Sequence, residues 1–285
     1  MTAGVGQERY RAAADALRAR MVRRIVAGGG LTDPAWRAAF ADVPRDLFVD
    51  LPEDTDHGSR LRRLAGVYAD RPIAVRTVGG ELVSSSSQPS LMALMCQALD
   101  VADGHRVLEI GTGTGYNAAL LAHRLGPDAV TTVDLDPELT GAARAHLDAY
   151  GTPAARSVAV VTGDGALGYR DRAPYDRVMA TCDMPVIPAA WLEQVRPGGL
   201  ILAPFATGLV ALTVNGPGQA EGRFLATPAY FVPLRGTAAR APRGGIGERL
   251  FADRTADRTR YGLTVADGRQ WVWRDDPAGP DRWEV

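Results

Sequence analysis

No lysine occurs among the 285 residues; every one of the 32 basic side chains is arginine. That absence excludes a Walker-type phosphate loop ending in Lys-Ser/Thr, a Schiff-base lysine and a Ser-x-x-Lys nucleophile. Cysteine is almost as scarce: Cys96 and Cys182 stand far apart in apolar surroundings, which reads as buried thiols in a reducing compartment rather than a disulfide. The histidines (His57, His105, His123, His146) share no ligand spacing with one another or with cysteine, so no metal is expected. No apolar run approaches the ~18 residues of a membrane span, and the N-terminus lacks a signal-type apolar stretch. An excess of one charge is missing too. With 32 basic against 33 acidic residues the formal charge is -1, which leaves no footprint for nucleic acid or an anionic membrane. The expectation is a cytoplasmic protein whose ligand is met by a local site.

What is present is ordinary globular composition, 46% hydrophobic and 23% charged. Tyr10, Ala14, Leu17, Met21 and Ile25 fall at helical spacing, and Asp33-Pro34 opens a second helix carrying Trp36 and Phe40. The polar stretch from Asp50 to Arg63 reads as loop. From residue 90 the order becomes regular: helix 91–99, strand 106–110, helix 116–125, strand 129–134, helix 137–149, strand 157–161, strand 175–181, helix 188–195 and strand 200–204. This alternation predicts an α/β fold with a doubly wound, mostly parallel Rossmann-like sheet. Segments 209–214 and 223–234 would close an antiparallel edge, residues 240–247 read as a linker, and Asp267-Gly268 predicts a hairpin turn in the tail. Three parts are expected: an N-terminal helical segment over 1–80, a cofactor-binding core over 81–236 and an extension over 237–285.

Gly111-Thr112-Gly113-Thr114-Gly115 directly follows a strand and opens a helix, where glycines let a backbone approach a ligand. The offset Gly113-x-Gly115-x-x-Ala118 also satisfies a dinucleotide pattern. Against that reading, the run starts late after Ile110, and Glu109 at the strand end would repel a pyrophosphate. A cation is better suited, and S-adenosylmethionine carries a sulfonium and an ammonium. Asp134, 19 residues after Gly115, ends the next strand where a carboxylate would grip ribose hydroxyls. Asp164 in Gly163-Asp164-Gly165 ends the third and could accept from an adenine amino group. Each of the three could instead be a cap or turn former, but three acidic residues at three successive strand ends point to one rim.

Several further motifs carry a resemblance: Val43-Pro44-Arg45-Asp46-Leu47-Phe48, Tyr68-Ala69-Asp70-Arg71-Pro72, Ser87-Gln88-Pro89, Val107-Leu108-Glu109-Ile110, Arg196-Pro197-Gly198-Gly199 and Phe231-Val232-Pro233-Leu234. Together with the glycine loop they resemble the protein-L-isoaspartate O-methyltransferase family over residues 10–236. The resemblance implies a carboxyl O-methyltransferase using S-adenosyl-L-methionine, with S-adenosyl-L-homocysteine as product. It implies Ser87 at the catalytic point, and cofactor contacts from Ser84, Ser85, Ser86, Glu109, Gly111, Gly113, Gly115, Asp134, Leu135, Gly163, Asp164, Gly165 and Ala166. Acceptor contacts would come from Ser86, Ser87 and Gln88; Asp183, read from the residues themselves, is either a further acceptor contact or a solvated loop carboxylate. The four serines, the segment Thr181-Cys182-Asp183-Met184-Pro185 and the tail depart from the usual pattern. They look like an actinobacterial branch that matures ribosomal peptides such as lanthipeptides and ω-ester peptides. In that branch an aspartate of a constrained peptide is methylated and closes to a succinimide.

The expected partner is thus a peptide or protein bearing Asp or isoAsp, with aspartate methylation in a constrained peptide ahead of isoaspartyl repair. A noncatalytic peptide-binding module on the same fold is the alternative outside enzyme chemistry. A carboxylate acceptor is already ionised at neutral pH and needs no general base, in keeping with a chain that offers no Ser-His-Asp set. Ser84–Ser87 ahead of Pro89 would place hydroxyls and free N–H groups at a helix start, suited to an anionic acceptor. Trp271, Trp273 and Trp283 could grip a peptide, or pack against the domain, as aromatics on a hairpin more often do.

Overall fold

The computed structural model describes residues 2–50, 56–236, 250 and 257–285. Helices α1 (Thr2–Ala27), α2 (Pro34–Asp42) and α3 (His57–Val67) lead into a hairpin of β1 (Ile73–Val78) and β2 (Glu81–Ser86). Helix α4 (Pro89–Ala98) follows, then the regular core: β3 (Val107–Ile110), α5 (Tyr116–Leu125), β4 (Val130–Asp134), α6 (Pro137–Tyr150), α7 (Pro153–Arg156), β5 (Ala159–Thr162), β6 (Tyr175–Ala180) and α8 (Ala189–Gln194). Strands β7 (Val195–Phe205), β8 (Gly208–Gly216), β9 (Gln219–Phe224), β10 (Tyr261–Ala266), β11 (Arg269–Arg274) and β12 (Arg282–Glu284) complete it.

Ten strands form one sheet in the order β12-β11-β10-β9-β8-β7-β6-β3-β4-β5. The pairs from β5 to β7 are parallel and those from β7 outward are antiparallel. The expected mixed α/β architecture is therefore present. Its parallel half holds the order reversal between β3 and β6, where open α/β sheets bind ligands beyond the strand ends. Alternation along the strands divides the core in two. Val107, Met179 and Leu202 join Trp36, Phe40, Phe48 and Leu120 on one side. Leu108, Val178 and Ile201 join Ile187, Trp191, Leu263 and Val272 on the other. Among the described residues no helix is long and apolar enough to cross a membrane.

Several expectations are corrected. The stretch read as loop from Asp50 to Arg63 contains most of α3, whose N-cap Asp56 accepts from Gly58 N and Ser59 N; residues 51–55 lie outside the described residues. The Arg196-Pro197-Gly198-Gly199 motif lies inside β7, which starts at Val195 rather than at residue 200, and the strand read over 223–234 ends at Phe224. Ser84–Ser86 are not a helix cap but the end of β2, paired with Ile73, Ala74 and Arg76 of β1. Asp70 caps α4 in their place, its Oδ1 accepting from Ser90 N at 2.8 Å. The boundary drawn at residue 80 falls in the turn of this hairpin, at Gly79 (φ 59°) and Gly80 (φ 86°).

The expected linker at 240–247 lies outside the described residues. The tail hairpin forms as expected, with Asp267 at φ 52° and Gly268 at φ 73° in the two-residue turn. It does not stand apart, because β10 pairs with β9 and lengthens the main sheet. Two of its tryptophans pack, Trp283 against Tyr261 with ring centroids 6.3 Å apart and Trp273 within the sheet. Trp273 is buried, lies across Gly262, donates to Thr264 Oγ1 at 2.9 Å and carries the Arg223 guanidinium 4.7 Å above its ring.

Candidate active site

The glycine loop leaves β3 and turns back into α5. Gly111, at φ 98°, has no room for a side chain: a Cβ there would stand 2.5 Å from Thr181 Oγ1. Its N–H donates to Val133 O at 2.8 Å, and Thr181 Oγ1 donates to its carbonyl at 2.9 Å. Gly113 N donates to Asp134 Oδ2 at 3.1 Å. A Cβ on Gly113 would project toward Ser84 and Ser85, 3.7 Å from each. Gly115 does something else: at φ 83° it packs against Ala143 of α6 and lies off the cavity wall.

The cavity in front of this loop is lined by Ser84 and Ser85 from the hairpin, Gly111 and Gly113 from the loop, Asp134 and Leu135 after β4, and Gly165. All seven were expected from sequence. Thr181, Cys182 and the strap Val232–Arg235 close it, and these were not expected as site residues. The Val232-Pro233-Leu234 motif was a visible signal, but nothing in it said which way it faces. Asp134 is nearly buried, its Oδ1 accepting from Asp136 N at 3.2 Å and lying 3.9 Å from Arg235 NH2. Leu135, by contrast, is 38% exposed at the rim. A carboxylate beside an apolar platform, facing a backbone stripped of Cβ atoms, fits a cationic nucleoside such as S-adenosylmethionine.

Glu109 requires the largest correction. It is not a rim residue; it is fully buried beneath the loop, with Oε1 accepting from Asn117 Nδ2 at 2.7 Å and Oε2 from Thr132 Oγ1 at 2.6 Å. Burial raises its pKa to about 7 against the two hydrogen bonds that lower it. The strand is too short to carry the side chain past the sheet, and alternation turns it toward α5. Gly163, Asp164 and Ala166 are also absent from the wall. Asp164 Oδ1 accepts from Ala166 N at 3.0 Å, capping the short turn that presents Gly165.

Ser85, Ser86 and Ser87 share a small pocket with Glu109, Gly111, Gly113 and Tyr116. Ser87 and Ser85 also line a wide groove of about 880 Å³ with Gln88, Asp70, Arg24 and the exposed Tyr230. Ser87 thus stands where the groove meets the glycine loop. Gln88 donates to Asp70 Oδ2 at 3.2 Å and to Ser90 Oγ at 2.9 Å. Asp183 lines neither space. Burial raises its pKa to about 6, and its backbone carries the contacts: N–H to Val232 O at 2.8 Å and carbonyl from Leu234 N at 2.7 Å.

The serine segment is held by a residue that the sequence marked only as part of a motif. Arg45 is completely buried, and NH1 donates to Val67 O at 2.7 Å. NH2 donates to Ser87 O at 2.9 Å and to Ser86 O and Oγ, both at 3.3 Å. Ser86 therefore faces the protein interior rather than the groove.

Sheet order, glycine loop and strand-end carboxylate define a methyltransferase that uses S-adenosylmethionine. The chain belongs to the protein-L-isoaspartate(D-aspartate) O-methyltransferase family, whose model matches residues 18–236. It is 40% identical over 220 residues to protein-L-isoaspartate O-methyltransferase 1 of Anaeromyxobacter sp. (strain Fw109-5), covering 75% of this chain and 94% of that one. To the enzyme of the same name from Methanothrix thermoacetophila it is 39% identical over 202 residues, 70% of this chain and 86% of that one. A solved protein-L-isoaspartate O-methyltransferase shares the fold with a TM-score of 0.67 at 22% identity, over 91% of this chain and 88% of that one. Another, from Plasmodium falciparum in complex with S-adenosyl-L-homocysteine, gives 0.61 at 14% identity, over 78% of this chain and 98% of that one.

Proposed function

We propose that this chain methylates the free α-carboxylate of L-isoaspartyl residues in peptides and proteins. The observation that carries the reading is Ser87 at the junction of a peptide-sized groove and the glycine-loop pocket. Family membership and relatives near 40% identity support isoaspartyl chemistry over maturation of a dedicated peptide, reversing the order expected from sequence. Residues Gly111, Gly113, Asp134 and Leu135 would hold the cofactor, with Ser84 and Ser85 facing it. S-adenosylmethionine, when bound, supplies a methyl group on a sulfonium.

The acceptor carboxylate is ionised at neutral pH and requires no base. The chain's part is to orient it and exclude water. The Ser87 hydroxyl donates to the carboxylate, while its own carbonyl is fixed by Arg45. Ser87→Ala is expected to lower turnover on a saturating isoaspartyl peptide by roughly ten- to a hundredfold, the worth of one hydrogen bond to a charged group. S-adenosylhomocysteine affinity, read by calorimetry, should stay within twofold. An unchanged rate would reduce Ser87 to a backbone anchor.

Aspartate methylation in a constrained peptide remains as a second reading, favoured by one observation: Gln270 of the tail bonds the backbone of Ile187, two residues beyond the altered segment Thr181–Pro185 beside the cavity. A preordered ring loses less entropy on binding, so a narrowed site would select it. Offering the enzyme a linear isoaspartyl peptide, a linear aspartyl peptide and its macrocyclic form separates the two. Methyl incorporation confined to the isoaspartyl peptide is the expected result. Preference for the macrocycle, with conversion to a succinimide, would install the second reading in its place.

A further inference from the structure

Gln270 lies on β11, beyond the residues that the family model matches. Its side-chain amide makes both bonds that a neighbouring strand would make to one residue. Oε1 accepts from Ile187 N at 2.9 Å, and Nε2 donates to Ile187 O at 2.7 Å. The Ile187 side chain is itself buried among Trp191, Val265 and Val272 of the same core cluster.

The segment so gripped, 181–188, supplies one wall of the cofactor cavity, holds a second and leads into the helix that fixes a third. Thr181 and Cys182 are wall residues themselves. Asp183 holds the strap Val232–Arg235 through its two backbone bonds to Val232 and Leu234. Past Pro188, Trp191 Nε1 donates to the carbonyl of Gly165, a further wall residue, at 2.8 Å. Thr181 is anchored to the glycine loop and Asp183 to the strap, so the end of the segment near Ile187 is set from outside the matched core, by β11.

We infer that Gln270 is a positioning residue for the cofactor cavity, and that the C-terminal strands serve as a buttress for its wall rather than as a peptide grip. The inference rests on the assignment of this cavity to S-adenosylmethionine. Removing both bonds frees the Ile187 end of the segment to shift and lets Cys182 and the strap drift from the bound arrangement. Cofactor affinity then falls because part of the population is no longer competent to bind.

Calorimetry with S-adenosylhomocysteine on the full-length protein tests this with three variants. Gln270→Leu, which keeps bulk and removes both bonds, is expected to weaken binding about tenfold, or ~1.4 kcal/mol. Gln270→Glu keeps an acceptor for Ile187 N–H but loses the donor to its carbonyl, and is expected to fall between Leu and wild type. Amide hydrogen exchange across 182–187 should rise in the same order. Val272→Ala trims packing from the same strand while leaving both bonds, and is expected to lower Tm with affinity within twofold of wild type. Affinity within twofold for both Gln270 variants would overturn the inference, as would a loss in Val272→Ala equal to that in Gln270→Leu. Should Gln270→Leu fail to fold, the comparison of Gln270→Glu with Val272→Ala decides. Failure of the wild-type protein to bind S-adenosylhomocysteine would instead overturn the cavity assignment.

Discussion

Arg45→Met is expected to lower the free energy of unfolding by about 4 kcal/mol. The substitution keeps the apolar stem and removes the guanidinium that serves carbonyls of Val67, Ser86 and Ser87 in a site without solvent. Each stranded acceptor costs roughly 1–3 kcal/mol. Relief from burying a charge, which already pulls the Arg45 pKa below its usual value, offsets part of that. Lysine is no substitute, since one ammonium cannot span carbonyls on two separate segments. Turnover should collapse with stability, because the carbonyls released are those of the acceptor serines. Urea denaturation measures the effect; a loss below ~1 kcal/mol would mean that water takes over the guanidinium's bonds.

Asp134→Ala is expected to weaken S-adenosylhomocysteine binding about a hundredfold, ~2.7 kcal/mol. The carboxylate presently splits its acceptors between Gly113 N and Asp136 N. Its removal takes away a partner for ribose hydroxyls and, at the same stroke, the tie that shapes the glycine loop. Two hydrogen bonds to a charged group at roughly 1.5–3 kcal/mol each bound the loss from above. Asp134→Asn retains one acceptor oxygen and should fall between. Nicotinamide dinucleotides should not bind the wild type. Titration calorimetry at fixed pH reads all of these, and an Asp134→Ala affinity within threefold of wild type would remove this carboxylate from the cofactor site.

The parallel half of the sheet was legible because its strands are short apolar runs between helices that start on Asp-Pro or Thr-Pro and stop on glycine. Asp136-Pro137 and Gly151 around α6 are such marks. The glycine loop was legible for the same local reason. Side-chain direction was not: Glu109 and Ile110 are adjacent in the sequence, yet Ile110 lines the cofactor cavity while Glu109 is buried beneath the loop, where it lines the small pocket shared with Ser85–Ser87. Only the pleat, set by pairing with β4 and β6, decides which of the two spaces each side chain enters.

The β1–β2 hairpin was missed because β1 (Ile-Ala-Val-Arg-Thr-Val) lacks a period-2 alternation of apolar and polar residues and β2 ends in three serines. Gly79-Gly80 was the available signal, a pair suited to the two positive φ angles of a tight turn. Helix α3 was missed for its arginines, although Leu61, Leu64 and Val67 mark an apolar stripe behind the Asp56 cap. Arg45 and Gln270 act through backbone groups distant in the chain, and no local pattern announces such a partner.

Continuing the sheet beyond β9 also moves its free margin. Among the described residues the margin on this side is β12, three residues long, with Arg282 and Glu284 on it and Glu284 paired to Arg269 at 3.1 Å. Short, charged margins discourage strand addition by other molecules. Without residues 237–285, Ala220–Arg223 would lose their partners on β10 and present a row of unsatisfied N–H and carbonyl groups. A chain so shortened would be prone to pair with its own copies, so insolubility on truncation would report an uncovered strand rather than a lost hold on substrate.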